Sequence, residues 1–329
     1  MPNNFSLMFS VLTPTWNRAS YLPRVYKALL AQTYSYFEWI VADDGSEDDT
    51  EIVVRDIACT APFPITYIRA DRHVGKALMD NESVRQAKGD FILWCDSDDW
   101  LLPNALQRLM ETWNSIHLER RTDFVGMTAL AAHEKGCIVN PFPDVNYKDV
   151  SWNDLSEIYK VTRDMLFCTR ADILKAHAFP EVDFVIPESV VWSAIGDRKS
   201  RLISEVLKII EYNADHCISF SGRMEYNRGR AYALAASVRN VQSYPQSWQI
   251  RTRRLITFIR YCVHGELNFS DALRLWGDNS NYVAFSLAIP LALLLATKDA
   301  LQGKVVKSHR EFLVAKGKVK IIVERINNY

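Results

Sequence analysis

The 329-residue sequence lacks an excess of charge and C-x-x-C cysteine pairs, and its first residues lack the pattern typical of a secretory leader. Its 39 basic and 39 acidic side chains balance, so overall charge does not favour nucleic acid, and we expect no nucleic-acid partner. None of the six cysteines falls in a C-x-x-C pair, which argues against a zinc ribbon and favours a reduced compartment. Since the first residues carry neither a cationic region nor a long apolar run, we expect a cytoplasmic protein.

Repeats, low-complexity segments and histidines at metal-binding spacing are also absent. The hydrophobic fraction of 48% and the charged fraction of 24% are typical of a globular protein and exclude a disordered, collagen-like or coiled-coil chain. The pattern of apolar residues changes near residue 225 and becomes mainly helical. We therefore predict one domain over residues 1–225 and a helical C-terminal region over residues 226–329.

The first hundred residues alternate between strand-like and helix-like patterns. Near-continuous apolar strands that alternate with helices predict an α/β fold with a mainly parallel sheet flanked by helices. The predicted strands are Phe9–Thr13, Glu38–Ala42, Ile65–Ile68 and Phe91–Trp94.

A polar cluster follows each predicted strand. In parallel sheets, ligands bind at the carboxyl ends of the strands, near the point where the strand order reverses. We therefore expect the four clusters to meet at one crevice. The clusters are Thr13 to Thr15, Asp43 and Asp44, Arg69 to His73, and Asp96 to Asp99.

The acidic clusters have two interpretations each. Asp96 and Asp98 are spaced to point two carboxylates the same way, as suits Mg²⁺ bound together with substrate phosphates, although a solvated acidic turn has the same composition. Asp43 and Asp44 suit hydrogen bonds from a base or a ribose, or else a turn before a helix.

The end of the third predicted strand is surrounded by basic residues, namely Arg69, Arg72, His73 and Lys76. Guanidinium and ammonium groups suit phosphate oxygens, and Lys76 lies where backbone N–H groups at a helix start also favour anions. A solvated basic loop is the alternative. Trp94, Trp100 and Trp192 suit stacking on a sugar or base, but aromatic residues more often fill cores.

Three runs of sequence resemble family 2 glycosyltransferases in order and spacing across about the first 110 residues. The runs are Leu-Thr-Pro-Thr-Trp-Asn-Arg at 12–18, Trp-Ile-Val-Ala-Asp-Asp-Gly-Ser-Glu-Asp-Asp-Thr at 39–50 and Ala-Lys-Gly-Asp-Phe-Ile-Leu-Trp-Cys-Asp-Ser-Asp-Asp at 87–99. Three departures stand out. Arg72-His-Val-Gly75 and Ser83 stand where many relatives have an Asn-x-Gly and a later Gly, Pro187-Glu188-Ser189 stands where many have Glu-Asp, and the Gln-x-x-Arg-Trp motif of processive synthases is absent.

The resemblance implies a GT-A fold and transfer of a sugar, with inversion, from a nucleotide-diphosphate donor such as a UDP-sugar. It also implies an Mn²⁺ or Mg²⁺ cofactor and a glycan or lipid-linked acceptor. Asp98 would be the direct metal ligand, and Asp96 would lie by the metal and the ribose. The other residues that it assigns to nucleotide binding are Thr13, Thr15, Asp43, Asp44, Arg72 and Lys76.

An inverting enzyme needs a carboxylate that takes the proton from the acceptor hydroxyl. Many relatives carry Glu-Asp as the base motif, and this chain reads Pro187-Glu188-Ser189. Glu188 is therefore the predicted base, with Glu181 and Asp183 as competitors. The alternative is that Glu188 only stabilises the N-terminus of a helix.

The stretch Tyr282–Thr297 contains no charge, and its sixteen residues fall just short of the roughly 17–25 that span a bilayer. It predicts either a buried helix pair broken at Pro290 or a peripheral contact with the inner face of the cell membrane. The basic residues that follow it favour the membrane contact. They are Lys298, Lys304, Lys307, Arg310, Lys316, Lys318 and Lys320.

Two other functions remain open at the level of sequence. A sugar-phosphate nucleotidyltransferase would want a Gly-rich, basic loop after the first strand, and Thr13-Pro-Thr-Trp-Asn-Arg18 is not one. A non-catalytic nucleotide-sugar-binding relative is the other alternative. The acidic strand ends and Lys76 argue against it, whereas the altered base motif favours it.

Overall fold

The computed structural model describes residues 7–161, 164–182, 184–211, 227–240, 248–277, 282–302 and 319–327. The chain divides into two compact units. The sheet unit comprises Met1–Ala178, Asp197–Ala214 and Lys316–Tyr329, and the helical unit comprises Phe179–Gly196 and Asp215–Ala315. The predicted boundary near residue 225 falls outside the described residues, so the division into 1–225 and 226–329 stays a prediction.

Within the described residues, ten strands form one sheet in the order β10-β3-β2-β1-β4-β8-β6-β9-β5, with β7 paired to β9. The strands are β1 (Phe9–Thr15), β2 (Phe37–Asp43), β3 (Ile65–Ala70), β4 (Phe91–Trp94), β5 (Asp99–Leu101), β6 (Phe124–His133), β7 (Lys148–Val150), β8 (Leu166–Arg170), β9 (Lys199–Ile210) and β10 (Ile321–Arg325).

The four predicted strands are the parallel part of this sheet. β1 pairs in parallel with both β2 and β4, and β2 pairs in parallel with β3. The chain therefore builds outward from β1 to β3 and then crosses back to place β4 on the other side of β1. The strand order reverses between β1 and β4, and this is where such sheets bind ligands.

Both faces of the parallel strands are buried. On one face, Phe9, Trp39 and Phe91 share a core with apolar residues of three helices. On the other face, Leu12 and Ile40 are fully buried where the third helix packs on β1 and β2. The helices of the sheet unit are α1 (Leu22–Leu30), α2 (Thr50–Ala58), α3 (Lys76–Gln86), α4 (Ala105–Asn114) and α5 (Ala171–Ala176).

The described helices of the helical unit are α6 (Ser189–Ile195), α7 (Asn227–Asn240), α8 (Trp248–His264), α9 (Phe269–Trp276) and α10 (Tyr282–Leu301). The predicted break at Pro290 is wrong, because α10 continues through this proline as one helix. Among the described residues, no helix combines the length and the apolar character needed to cross a bilayer. Of the basic residues behind the apolar stretch, those at 304, 307, 310, 316 and 318 lie outside the described residues.

The end of the chain departs from the predicted helical region. β10 pairs antiparallel with β3, with Ile321 opposite Ala70 and Arg325 opposite Thr66. Its Ile-Ile-Val run is β-branched, which favours an extended strand over a helix. The apolar pattern of residues 226–329 as a whole is helical. The neighbouring sequence therefore does not indicate that a short strand in this region pairs with the edge of the sheet.

Candidate functional site

The polar clusters at the four strand ends meet. The backbone N–H of Asp44, after β2, donates to the carbonyl of Thr15 on β1 at 2.9 Å. The hydroxyl of Thr13 donates to the carbonyl of Cys95, after β4, at 2.8 Å. The loop after β3 joins them through the contacts of Asp44 described next. The expectation that the clusters form one crevice is therefore met in the sheet unit.

Asp44 anchors the loop between β3 and α3. Its carboxylate accepts the backbone N–H groups of Val74 at 2.6 Å and Gly75 at 2.9 Å. The Nδ1 atom of His73 lies 2.9 Å from the same carboxylate. Because Asp44 is buried and already accepts these bonds, a nucleotide would have to use its remaining lone pairs.

Asp43 and Thr13 are turned into the protein. The carboxylate of Asp43 accepts the Ser46 N–H at 2.8 Å and the Tyr67 hydroxyl at 2.5 Å. Burial raises the pKa of Asp43, while the bonds from Ser46 and Tyr67 oppose the rise. The Thr13 hydroxyl accepts the indole N–H of Trp39 at 2.9 Å. Both side chains are fully buried, so they hold the strand ends, and direct contact with a nucleotide stays a prediction.

The loop after β2 needs a glycine at position 45. Gly45 has a φ of +70°, and a Cβ atom there would lie 2.2 Å from the carbonyl carbon of Arg72. Only glycine allows this close approach. The approach holds Arg72 at the end of β3, where its guanidinium lies 3.6 Å from the carboxylate of Asp71.

Each of the two predicted metal ligands faces a cation of the chain. Arg18 lies 2.8 Å from the carboxylate of Asp98, and Lys76 lies 3.7 Å from that of Asp96. Burial raises the pKa of Asp98, the charge of Asp96 raises it further, and Arg18 opposes both effects. Burial also acts to raise the pKa of Asp96, but Lys76, Lys208 and Arg18 outweigh it and hold this pKa below its usual value. Asp96 is therefore ionised at neutral pH.

The acidic loop, residues 96–99, is held to the sheet by a buried ion pair. The ammonium group of Lys208, on β9, lies 3.0 Å from the carboxylate of Asp99, and both side chains are about 5% exposed. Burial acts to lower the pKa of Lys208, but the charge of Asp99 outweighs it, so Lys208 keeps its proton. This pair joins the start of β5 to β9, directly after the carboxylates at positions 96 and 98.

Asp80 is a residue of the site that the sequence patterns do not identify. It is 1% exposed in the middle of α3. Its two carboxylate oxygens accept from the indole N–H of Trp94 and from the ammonium of Lys76, each at 2.9 Å. Lys76 thus lies between the carboxylates of Asp80 and Asp96. Trp94 is buried and serves this contact, so the stacking interpretation for Trp94 is not supported.

An aromatic pair also lies at the strand ends. The rings of Trp16 and His73 stack with centroids 4.2 Å apart and an angle of 20° between their planes. Since His73 also contacts Asp44, the loops after β1, β2 and β3 meet at this stack. Trp16 lies in a run that resembles the family and His73 in a run that departs from it. No sequence pattern indicates that the two rings are in contact.

Two buried oxygen atoms at the crevice have no hydrogen-bond partner among the described residues: the hydroxyl of Thr15 and Oδ1 of Asp96. No group of three or more His, Cys, Asp or Glu side chains among the described residues is arranged to hold a metal. The carboxylates of Asp96 and Asp98 nevertheless fit Mn²⁺ or Mg²⁺, because a hard cation takes one or two carboxylates and completes its shell with phosphate and water oxygens.

The predicted base belongs to the helical unit. Glu188 is half-buried at the start of α6, and its backbone carbonyl accepts the Val191 N–H at 2.9 Å. Its competitor Glu181 is exposed, and Asp183 lies outside the described residues. The assignment of Glu188 stays a prediction.

Residues 10–119 match the sequence model of Glycosyl transferase family 2. An uncharacterized glycosyltransferase of Haemophilus influenzae is 34% identical over 104 residues, which are 32% of this chain and 34% of that protein. The GalNAc(5)-diNAcBac-PP-undecaprenol beta-1,3-glucosyltransferase of Campylobacter jejuni is 34% identical over 105 residues, 32% of this chain and 34% of that protein. The chain spans about a third of the length of these curated relatives.

The crystal structure of S. aureus TarS 1-349 in complex with UDP-GlcNAc is similar to this structure with a TM-score of 0.57. The sequences are 17% identical, and the match covers 91% of this chain and 84% of that chain. At this identity the likeness concerns the fold. The predicted α/β fold of the GT-A type is confirmed, and the resemblance to family 2 glycosyltransferases is confirmed over residues 10–119.

Proposed function

We propose that the chain is an inverting glycosyltransferase that moves a sugar from a nucleotide-diphosphate donor to a glycan or lipid-linked acceptor. The observation that carries the proposal is the meeting of the acidic loop, Lys76 and the loops after β1 to β3 within the family 2 segment. UDP is the proposed nucleotide, and the inner face of the cell membrane is the proposed place of action. Both rest on the resemblance.

We assign a role to each proposed site residue from the chemistry of its side chain. The donor's nucleoside would lie by the Thr15 hydroxyl and the Trp16–His73 stack, where polar and aromatic groups adjoin. Lys76 and Arg72 would face the negatively charged diphosphate. Glu188, in the helical unit, is the proposed base that takes the proton from the acceptor hydroxyl as the new bond forms.

Asp96 and Asp98 would hold Mn²⁺ or Mg²⁺. When bound, such an ion neutralises charge on the departing diphosphate. Arg18 keeps the Asp98 carboxylate in position at 2.8 Å, and the buried Lys208–Asp99 pair fixes the loop that carries it. Because neighbouring cations partly neutralise these carboxylates, we expect metal binding to be of moderate strength without the donor's phosphates.

UDP release tests the proposal directly. The full chain, incubated with a panel of UDP-, GDP- and dTDP-sugars, is expected to release the nucleoside diphosphate from one donor class faster with Mn²⁺ than without it. Nucleotide binding with no turnover of any donor would favour a non-catalytic relative. Release of pyrophosphate from a nucleoside triphosphate with a sugar phosphate would favour a nucleotidyltransferase.

Asp80→Asn is expected to raise the KM for the donor about tenfold, because Lys76 loses the charged partner that holds it beside Asp96, and hydrogen bonds to charged groups contribute roughly 1.5–3 kcal/mol. The asparagine oxygen still accepts the Trp94 N–H. The matched control is Glu82→Gln, which removes one carboxylate from the same helix where it pairs with Arg85. Steady-state kinetics check the result, and an unchanged KM in Asp80→Asn would refute this positioning role.

A further inference from the structure

Helix α10 buries three alanines and exposes most of its leucines. Ala288 and Ala292 pack in the apolar core of the helical unit, and Ala296 is buried. Four of the leucines are 75% (Leu287), 47% (Leu291), 66% (Leu294) and 83% (Leu301) exposed, and Leu293 is 46% exposed. A surface helix of a globular protein normally buries its leucines and exposes polar residues. The outward face of α10 therefore suits an apolar environment outside the protein.

The four leucines form one stripe. Their spacing of four, three and seven residues places them on one face of the helix. The stripe is about 21 Å long at 1.5 Å per residue. Lys298, four residues after Leu294, is exposed on the same face. The nearby Asp299 is buried and pairs with Arg260 and His264, so it adds no negative charge to this surface.

Helix α8, which packs beside α10, adds cations and an aromatic ring. Trp248 at its start is 72% exposed, and Arg251 and Arg253 are exposed within its first two turns. The helix contains no Asp or Glu. A groove of about 350 Å³ runs between α8 and α10, with Trp248, Arg253, Ile256 and Leu295 in its lining.

We propose that the α8–α10 surface, defined by Trp248, Arg253, Lys298 and the leucine stripe, docks on an anionic lipid bilayer. The stripe enters the apolar edge of one leaflet, while Arg253 and Lys298 meet lipid phosphates. The helix lies along the membrane, because no described helix is suited to cross it.

Charge favours a bilayer over a second copy of the chain. In a symmetric dimer the same face meets itself, so Arg253 and Lys298 of both copies would lie in one interface. Like charges at such a contact repel, whereas lipid phosphates attract both side chains. The proposal deepens the proposed place of action, on which it rests, and vesicle binding is measured without donor or acceptor, so sugar transfer and membrane docking can each fail alone.

Sedimentation of the full chain with vesicles tests the proposal. The chain is expected to bind phosphatidylglycerol-containing vesicles, to bind pure phosphatidylcholine vesicles far more weakly, and to dissociate as salt is raised. Leu291→Glu combined with Leu294→Glu is expected to lower the partition coefficient about tenfold or more, and so is Arg253→Glu combined with Lys298→Glu. Both double variants alter exposed side chains and leave the core intact.

The matched control is Leu118→Glu, because Leu118 is a leucine of the sheet unit that is 64% exposed. This variant is expected to bind vesicles as the wild type does. Wild-type binding by the leucine double variant, equal binding to neutral vesicles, or no vesicle binding by the wild type would each overturn the proposal. Light scattering adds a further outcome: a dimer that the leucine double variant dissociates would make a second copy the occupant of the surface.

Discussion

Asp98→Asn is expected to lower kcat/KM for metal-dependent sugar transfer by about a thousandfold. The substitution removes the charge that we propose holds the cation against the diphosphate, and loss of one electrostatic contact of this kind costs roughly 10²–10³ in rate. The size of the side chain is unchanged, and an amide oxygen still accepts from Arg18, which lies 2.8 Å from the carboxylate. Initial rates of UDP release across an Mn²⁺ titration measure the effect.

The titration separates loss of metal binding from loss of the fold. Residual activity of Asp98→Asn is expected to be nearly independent of Mn²⁺, while its melting temperature stays close to that of the wild type. Asp123→Asn is the control, because Asp123 is an exposed aspartate of the same unit. It should keep both the rate and the metal response. A full Mn²⁺ response in Asp98→Asn would contradict the assignment of Asp98.

The parallel half of the sheet could be predicted from sequence because it follows from local patterns. Strands buried on both faces are continuously apolar, and each ends at a polar cluster, so the carboxyl edge of β1 to β4 can be located without coordinates. Asp44 and Asp98 were located by the same argument. The sequence pattern does not predict that Asp44 accepts N–H groups of the loop after β3 or that Arg18 pairs with Asp98. Both contacts join segments that are far apart in sequence.

The residues that sequence missed act through tertiary contacts. An aspartate in the middle of a helix, such as Asp80, ordinarily faces solvent, and only the packing of α3 on the sheet brings it to Trp94 and Lys76. The outward leucines of α10 are a similar case. Its composition is apolar all round, so the sequence gives no indication of which face is covered. Side-chain identity limits what these positions can do, and packing decides which partner they meet.

Glu188→Gln is expected to abolish sugar transfer, with kcat reduced about a thousandfold and donor affinity unchanged. A glutamine has the size and the hydrogen-bonding oxygen of glutamate but does not take a proton, and a general base contributes roughly 10²–10⁴ in rate. If Glu188 only stabilised the start of α6, the variant would lose a little thermal stability and keep its kcat. Titration calorimetry with the donor and single-turnover transfer assays separate these two outcomes.

Glu181→Gln serves as both the control and the rival. Glu181 is a glutamate of the same segment, seven residues earlier, and it is exposed. If Glu188 is the base, Glu181→Gln keeps the kcat of the wild type. If Glu181→Gln abolishes transfer while Glu188→Gln does not, the assignments exchange. The two variants each remove one carboxylate from the same short segment. A thousandfold difference between their kcat values would therefore reflect the position of the carboxylate, since the loss of charge is the same in both.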